Sequence, residues 1–176
     1  MPASTPTDTL GEIVDELDEQ LDAIAEQASQ ADDSERQQAL DQQGLSLEQQ
    51  LVAFEELAEE HGEQATVTVA EFTVDERMRF GDLLEAAREQ AQERQGYAVG
   101  SNMREVYWVG AGVVGAPWLE GDEDMQARIT TTRRSVDWPV IQHLRGKVTE
   151  ANTKGNPERQ SYAERREART PQSEPN

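Results

Sequence analysis

Gly110, Gly112 and Gly115 in "VYWVGAGVVGA" (residues 106–116) spell G-x-G-x-x-G after an apolar run that reads as a strand. That spacing can let backbone amides at a helix start cradle the pyrophosphate of a dinucleotide. The chemistry needs an order of elements: strand, glycine turn, then a helix whose N-terminus faces the phosphates. Here the last glycine is followed by Ala116, Pro117 and "WLEGDED", with no amphipathic helix. Asp122, Glu123 and Asp124 would place negative charge beside the phosphates, and no second strand ending in an acidic residue follows about twenty residues on. The glycines are therefore read as small residues that let a helix, or a strand end, approach a neighbour. Met103, Val106, Tyr107, Gly110, Val113 and Val114 fit a helical stripe, and no cofactor is expected.

Other chemistry is equally sparse. His61 and His143 stand far apart with no metal spacing, and His143 is expected on a helix surface or at an interface. "GDED" lacks the alternating Asp-x-Asp-x-Asp-Gly pattern of a calcium loop. Carboxylate pairs carry no information in a chain with 36 acidic residues, and no Ser or Thr has the context of an activated nucleophile. There is no cysteine, which excludes disulfides and thiolate metal sites. No catalytic residue and no metal ligand is assigned, and the chain is expected not to be an enzyme.

Charge supplies the broader frame. The 176 residues carry a net charge of −20, and Lys147 and Lys154 are the only lysines. Residues 1–64 hold 18 acidic groups and a single basic one, Arg36, whereas residues 65–176 hold 18 acidic and 15 basic. An acidic, lysine-poor surface suits molar salt, where the Debye length falls to roughly 3 Å and self-repulsion is screened. The chain reads as a protein of a halophilic cytoplasm; the rival reading of the same composition is partial disorder. The acidic segment would repel a phosphate backbone, so no nucleic acid is expected as a partner. The N-terminus shows no basic or apolar leader, and no apolar run approaches the ~20 residues of a membrane span, so a cytoplasmic location without membrane contact is expected.

The elements follow from spacing. Thr9 with Glu12 forms a capping box, and Leu10, Val14, Leu17, Leu21, Ile24 and Ala28 then alternate by four and three as a heptad seam. Ser34 with Gln37 opens a second helix ending at Gly44, and Ser46 with Gln49 a third, carrying Leu47, Leu51, Phe54 and Ala58 and closing at Gly62. "ATVTVAEF" (65–72) alternates as a strand. Thr73 with Glu76 caps the strongest helix, with Phe80, Leu83, Leu84, Ala87 and Ala91 on its apolar side and Gly96 as its stop. Ser101 begins the next, which Pro117 ends. "WLEGDEDMQARITTTRRSV" reads as a polar connection. Asp137 and Pro139 open a final helix with Val140, Ile141, Leu144 and Val148 inward. The fold class is mainly α: a small helical domain at 65–152 with one short strand or hairpin, an acidic helical arm at 1–64, and a mobile polar tail at 153–176 with a frayed helix near Tyr162–Arg169.

Between residues 67 and 152 the order of features resembles tail assembly chaperones of long-tailed phages and archaeal viruses. The resemblance lies in a short strand followed by Phe72, Thr73, Val74, Asp75, Glu76, Arg77 and Phe80, then the small-residue junction and acidic turn of "REVYWVGAGVVGAPWLEGDED", then Pro139 through Asn152. It implies a non-enzymatic role: coating a tape-measure protein while tail-tube subunits polymerise around it. The competing class is a cytoplasmic adaptor or regulator that dimerises through Leu10, Val14, Leu17, Leu21 and Ile24. A nucleotide-binding enzyme survives only through the glycines. The candidate partner-contact residues are Phe80, Leu84, Trp108, Trp118, Trp138 and Ile141. Trp108 and Trp138 are expected in the core, whereas Trp118, between Pro117 and an acidic loop, is expected to be an exposed anchor.

With so much like charge in residues 1–64, helix content should fall as salt drops from molar to millimolar, because carboxylate repulsion goes unscreened. Circular dichroism across that range is the measurement; constant helicity would contradict the halophilic reading.

Overall fold

The computed structural model describes residues 5–96 and 100–153. The tail, with the helix expected near Tyr162–Arg169, lies outside the described residues apart from Thr153. The chain is mainly helical: six helices and a small three-stranded antiparallel sheet make up the described residues. In chain order they are β1 (Thr7–Thr9), α1 (Leu10–Ser29), α2 (Ser34–His61), β2 (Thr66–Val69), α3 (Val74–Gln95), α4 (Ser101–Gly112), β3 (Val113–Gly115), α5 (Met125–Ser135) and α6 (Trp138–Asn152).

Both capping boxes form. Thr9 Oγ1 accepts the Glu12 amide at 3.1 Å while Glu12 accepts the Thr9 amide at 2.7 Å; Thr73 and Glu76 repeat the exchange at 3.2 and 2.8 Å. The amide and hydroxyl of the capping threonine hold the Glu12 carboxyl below its ordinary range, and the same donors on Thr73 lower Glu76. Gly96 ends α3 in the left-handed region at φ +71°, where an L side chain is strained.

Residues 34–61 are one helix, not two. Gly44 lies inside α2, where Ile24 of α1 would stand 3.7 Å from a Cβ. An interior glycine costs about 1 kcal/mol relative to alanine, less than the burial of Leu40 and Leu47 on either side returns. Ser46 does not cap; its hydroxyl accepts from the Gln50 side chain at 3.3 Å. The N-cap is Asp33, which accepts the Glu35 amide at 3.2 Å.

β1 pairs with β2 (Thr7 opposite Thr68, Thr9 opposite Thr66), and β2 pairs on its other side with β3 through an irregularity at Thr68–Val69. The sheet thus ties the start of the chain to its middle. Leu10, Ile13, Leu17 and Phe54 pack in one core with Val67, Val69, Val109, Val113, Ile141, Leu144 and Val148. The acidic segment 1–64 is therefore not a free-standing arm, since both sides of the boundary drawn at residue 64 fill the same interior. Leu10 and Leu17, at 0% exposure, are spent on this core and are not open to a second copy. A further cluster joins Phe72, Phe80, Leu84 and Ala87 to Tyr107, Ala111, Met125 and Ile129. Asn152 pins the turn between β2 and α3: its side chain accepts the Phe72 amide at 2.8 Å and donates to Ala70 O at 3.1 Å.

α4 lies between the two clusters, and its glycines explain how. A Cβ on Gly110 would stand 2.6 Å from Ile129 Cα on α5, and one on Gly112 would fall against both methyls of Val148 on α6. At Gly115 it would meet Thr68 Cβ at 3.3 Å across the sheet. The motif runs helix then strand, the reverse of what a dinucleotide site needs. Residues 125–135, expected as a polar connection, form α5. Met125, Ile129 and Thr132 recur at helical spacing and are buried, and Asp124 caps the first turn by accepting the Ala127 amide at 2.9 Å.

Gly110→Ala should lower stability by about 1–3 kcal/mol, as overpacking against a backbone atom does. Gly81→Ala, in α3 with nothing within 4 Å of the new methyl, should leave stability unchanged or raise it by up to about 1 kcal/mol. Paired urea melts would show the contrast; equal effects would remove close packing as the reason for Gly110.

Candidate functional site

The residues singled out for partner contact divide differently from expectation. Phe80, Leu84 and Ile141 are buried in the chain's own core and offer no contact surface. Trp108 is half-buried, its ring edge-on to Phe72 (centroids 5.1 Å) and to Phe80 (5.3 Å), and its indole N–H donates to Thr149 Oγ1 at 3.1 Å. Trp118 is no exposed anchor: it packs against the main core and its N–H donates to Thr132 Oγ1 at 3.3 Å. The cause is α5, which folds back and supplies a wall where a polar connection was expected. Trp138, expected to be buried, is 36% exposed at the first turn of α6.

The acidic turn is internally satisfied. Glu123 accepts the Glu120 amide at 3.0 Å and the Thr131 hydroxyl at 2.8 Å. Arg128 donates to Glu123 O at 3.0 Å and to Ala111 O at 3.1 Å, which satisfies a carbonyl near the end of α4. Burial lowers the Arg128 pKa against the raising effect of Glu76, Asp124 and Glu123. Among the described residues no group of three or more His, Asp or Glu could hold a metal ion, and no helix is long and apolar enough to cross a membrane.

Two further features lie outside the expected set. Lys147 on α6 reaches Glu16 on α1 at 2.6 Å and Asp8 on β1 at 3.3 Å. Burial alone would lower its pKa, but the hydrogen bond and charge of Glu16, with those of Asp8, more than offset this and the net shift is upward. One turn earlier His143 is half-buried: it lies edge-on to Phe54 at 5.1 Å, and its Nε2 is buried without a hydrogen-bond partner among the described residues. Burial first, then the Lys147 charge, push its pKa down to about 4, against the opposing effect of Glu16 and Asp8. A histidine so poised is neutral near pH 7.

Exposed large apolar side chains lie elsewhere, in two places: Val74 (77% exposed) and Met78 (64%) on α3, and a set on α2 and α6. Leu45 (60% exposed) and Val52 (47%) stand seven residues apart on one side of α2. Val52 and Ala53 line a shallow groove of about 370 Å³ with Pro139 and Asp137 at the start of α6, edged by Glu48, Gln49 and Glu56. Trp138 sits between two of those lining residues. The sequence did carry a signal: Leu45 and Val52 share a heptad phase distinct from that of buried Leu47 and Phe54. A break at Gly44 with a helix start at Ser46 leaves Leu45 outside the helix and hides that phase. Compared with models of known protein families, with characterised proteins and with solved structures, the chain matches none.

The His143 pKa sets a pH dependence. The unfolded imidazole titrates near 6.5 and the folded one near about 4, so between these values the unfolded chain holds the extra proton and stability falls as the pH falls. The full loss is about 3 kcal/mol, is reached near pH 4, and vanishes above the unfolded value. His143→Gln should flatten this part of the curve. Denaturant melts of both proteins between pH 7 and pH 4 read the difference, and parallel curves would refute it.

Proposed function

We propose that this chain is a non-enzymatic, protein-binding assembly factor, a tail assembly chaperone that engages a tape-measure protein in the cytoplasm of a halophilic host. The observation that carries the reading is exposed Val52 in the α2–α6 groove, with exposed Leu45 seven residues before it on α2 and Trp138 between the groove residues Asp137 and Pro139. Large apolar side chains left in water on the outward faces of helices favour a partner surface. The lack of any catalytic constellation among the described residues is compatible with this role, and the order of capped helix, small-residue junction and acidic turn supports the family resemblance. The charge balance, with two lysines in 176 residues, supports the high-salt setting. Dimerisation through the α1 seam has less to recommend it, because Leu10 and Leu17 are occupied internally.

Trp138→Ser and Val52→Asp should each weaken capture of the tape-measure protein by about 1–3 kcal/mol, the usual scale of an interface anchor, with little change in thermal stability. Trp118→Ala should do the opposite, lowering the melting temperature through its core contact. Pull-down at molar salt alongside thermal melts is the measurement. Undiminished capture by both surface variants would overturn the assignment of this groove.

A further inference from the structure

A second groove, between α4 and α6, has a different chemistry. It encloses about 420 Å³ and is lined by Ser101, Arg104, Glu105, Trp108, Arg145 and Thr149. In a chain of net charge −20, gathered carboxylates are the background, whereas two guanidinium groups facing one groove are a departure from it. Arg145 gives one nitrogen to Glu105 at 2.7 Å. That bond orients the planar group and leaves its remaining N–H donors for another acceptor. Arg104 has no ion partner among the described residues. Trp108 is wedged against Phe72 and Phe80, so its ring forms a rigid apolar wall. Because the indole N–H donates to Thr149 Oγ1, the proton of that hydroxyl remains to be donated in turn, and the Ser101 hydroxyl adds a further donor.

We propose that the α4–α6 groove binds a small molecule or terminal group bearing an oxyanion, a carboxylate or a phosphate, with the oxyanion between Arg104 and Arg145 and an apolar or planar body against Trp108. The volume falls within the roughly 300–1,000 Å³ of small-ligand sites. The forked donors of arginine match the two oxygens of a carboxylate or phosphate, which a spherical chloride lacks. Selectivity over chloride is therefore built into the geometry even where salt is abundant. The site is independent of the partner groove, which shares none of its lining residues.

Calorimetry on the full chain at fixed potassium chloride tests it with benzoate, phenyl phosphate and neutral benzamide. Benzoate or phenyl phosphate should bind in the millimolar range or tighter, with benzamide at least about tenfold weaker, and the tighter of the two anions names the anionic group. Arg104→Ala should weaken that anion by at least about tenfold, near the 1.4 kcal/mol scale of one hydrogen bond to a charge, with an unchanged melting temperature because Arg104 is exposed. Arg104→Lys should recover part of the loss. Failure of both anions to bind, equal binding of benzamide, or an Arg104→Ala protein that binds as before would overturn the proposal.

Discussion

The close approach of α4 to its neighbours is the constraint on which the rest of the molecule hangs. A 12-residue helix can serve two hydrophobic clusters at once only if neighbours reach it on several sides, and Gly110 and Gly112 remove the side chains that would hold α5 and α6 away. The gain is contact area: Val109 and Val113 face one cluster, Tyr107 and Ala111 the other. The cost is the conformational freedom that glycine loses in a helix, about 1 kcal/mol each relative to alanine. Full burial of a valine or isoleucine such as Ile129 or Val148 stabilises by about 1.5–3 kcal/mol, so close packing outweighs propensity here.

What holds the acidic hairpin of α1 and α2 to the remainder is settled by magnitude. Lys147 bridges Asp8 and Glu16, but all three side chains are partly exposed. Pairs of that kind contribute about 0–1 kcal/mol, less in strong salt. Leu10, Ile13, Leu17 and Phe54 are fully buried against residues of β2, α4 and α6, and each is worth about 1.5–3 kcal/mol by burial alone. Apolar packing therefore carries the hairpin, and the lysine chooses where the carboxylates of α1 and β1 sit. The acidic surface is compatible with folding because the repelling charges lie on outward faces while the inward stripe is uninterrupted.

Some local signals in the sequence translate directly into structure, whereas Ser46 and Gly44 lie inside α2. Thr9–Glu12, Thr73–Glu76 and Gly96 act as caps or stops because their physics closes within a few residues. Gly44 does not end α2 because one interior glycine costs only about 1 kcal/mol relative to alanine, which the burial of Leu40 and Leu47 offsets. Strands β1 and β3, three residues each, carry no periodicity to detect; they exist only through pairing with β2. The two tryptophans exchanged roles for one reason. α5 has too few apolar residues to announce itself, yet once folded it covers Trp118, while Trp138 at the tip of α6 meets no such cover.

Composition decides which surface features can carry meaning. In a chain with 36 acidic residues, a carboxylate cluster is what chance and salt tolerance supply, so the acid-lined cleft between α1 and α2 says nothing about a ligand. Exposed large apolar side chains and converging arginines run against that background. An apolar side chain on an outward face gives up burial energy that the fold could have used, and Arg104 lines a groove without an ion partner among the described residues, while Arg145 there is paired with Glu105. Each gains on occupancy: apolar area leaves water at the α2–α6 groove, and an oxyanion meets the Arg104 charge at the α4–α6 groove. Surfaces that folding does not require are thus the ones from which function is best argued.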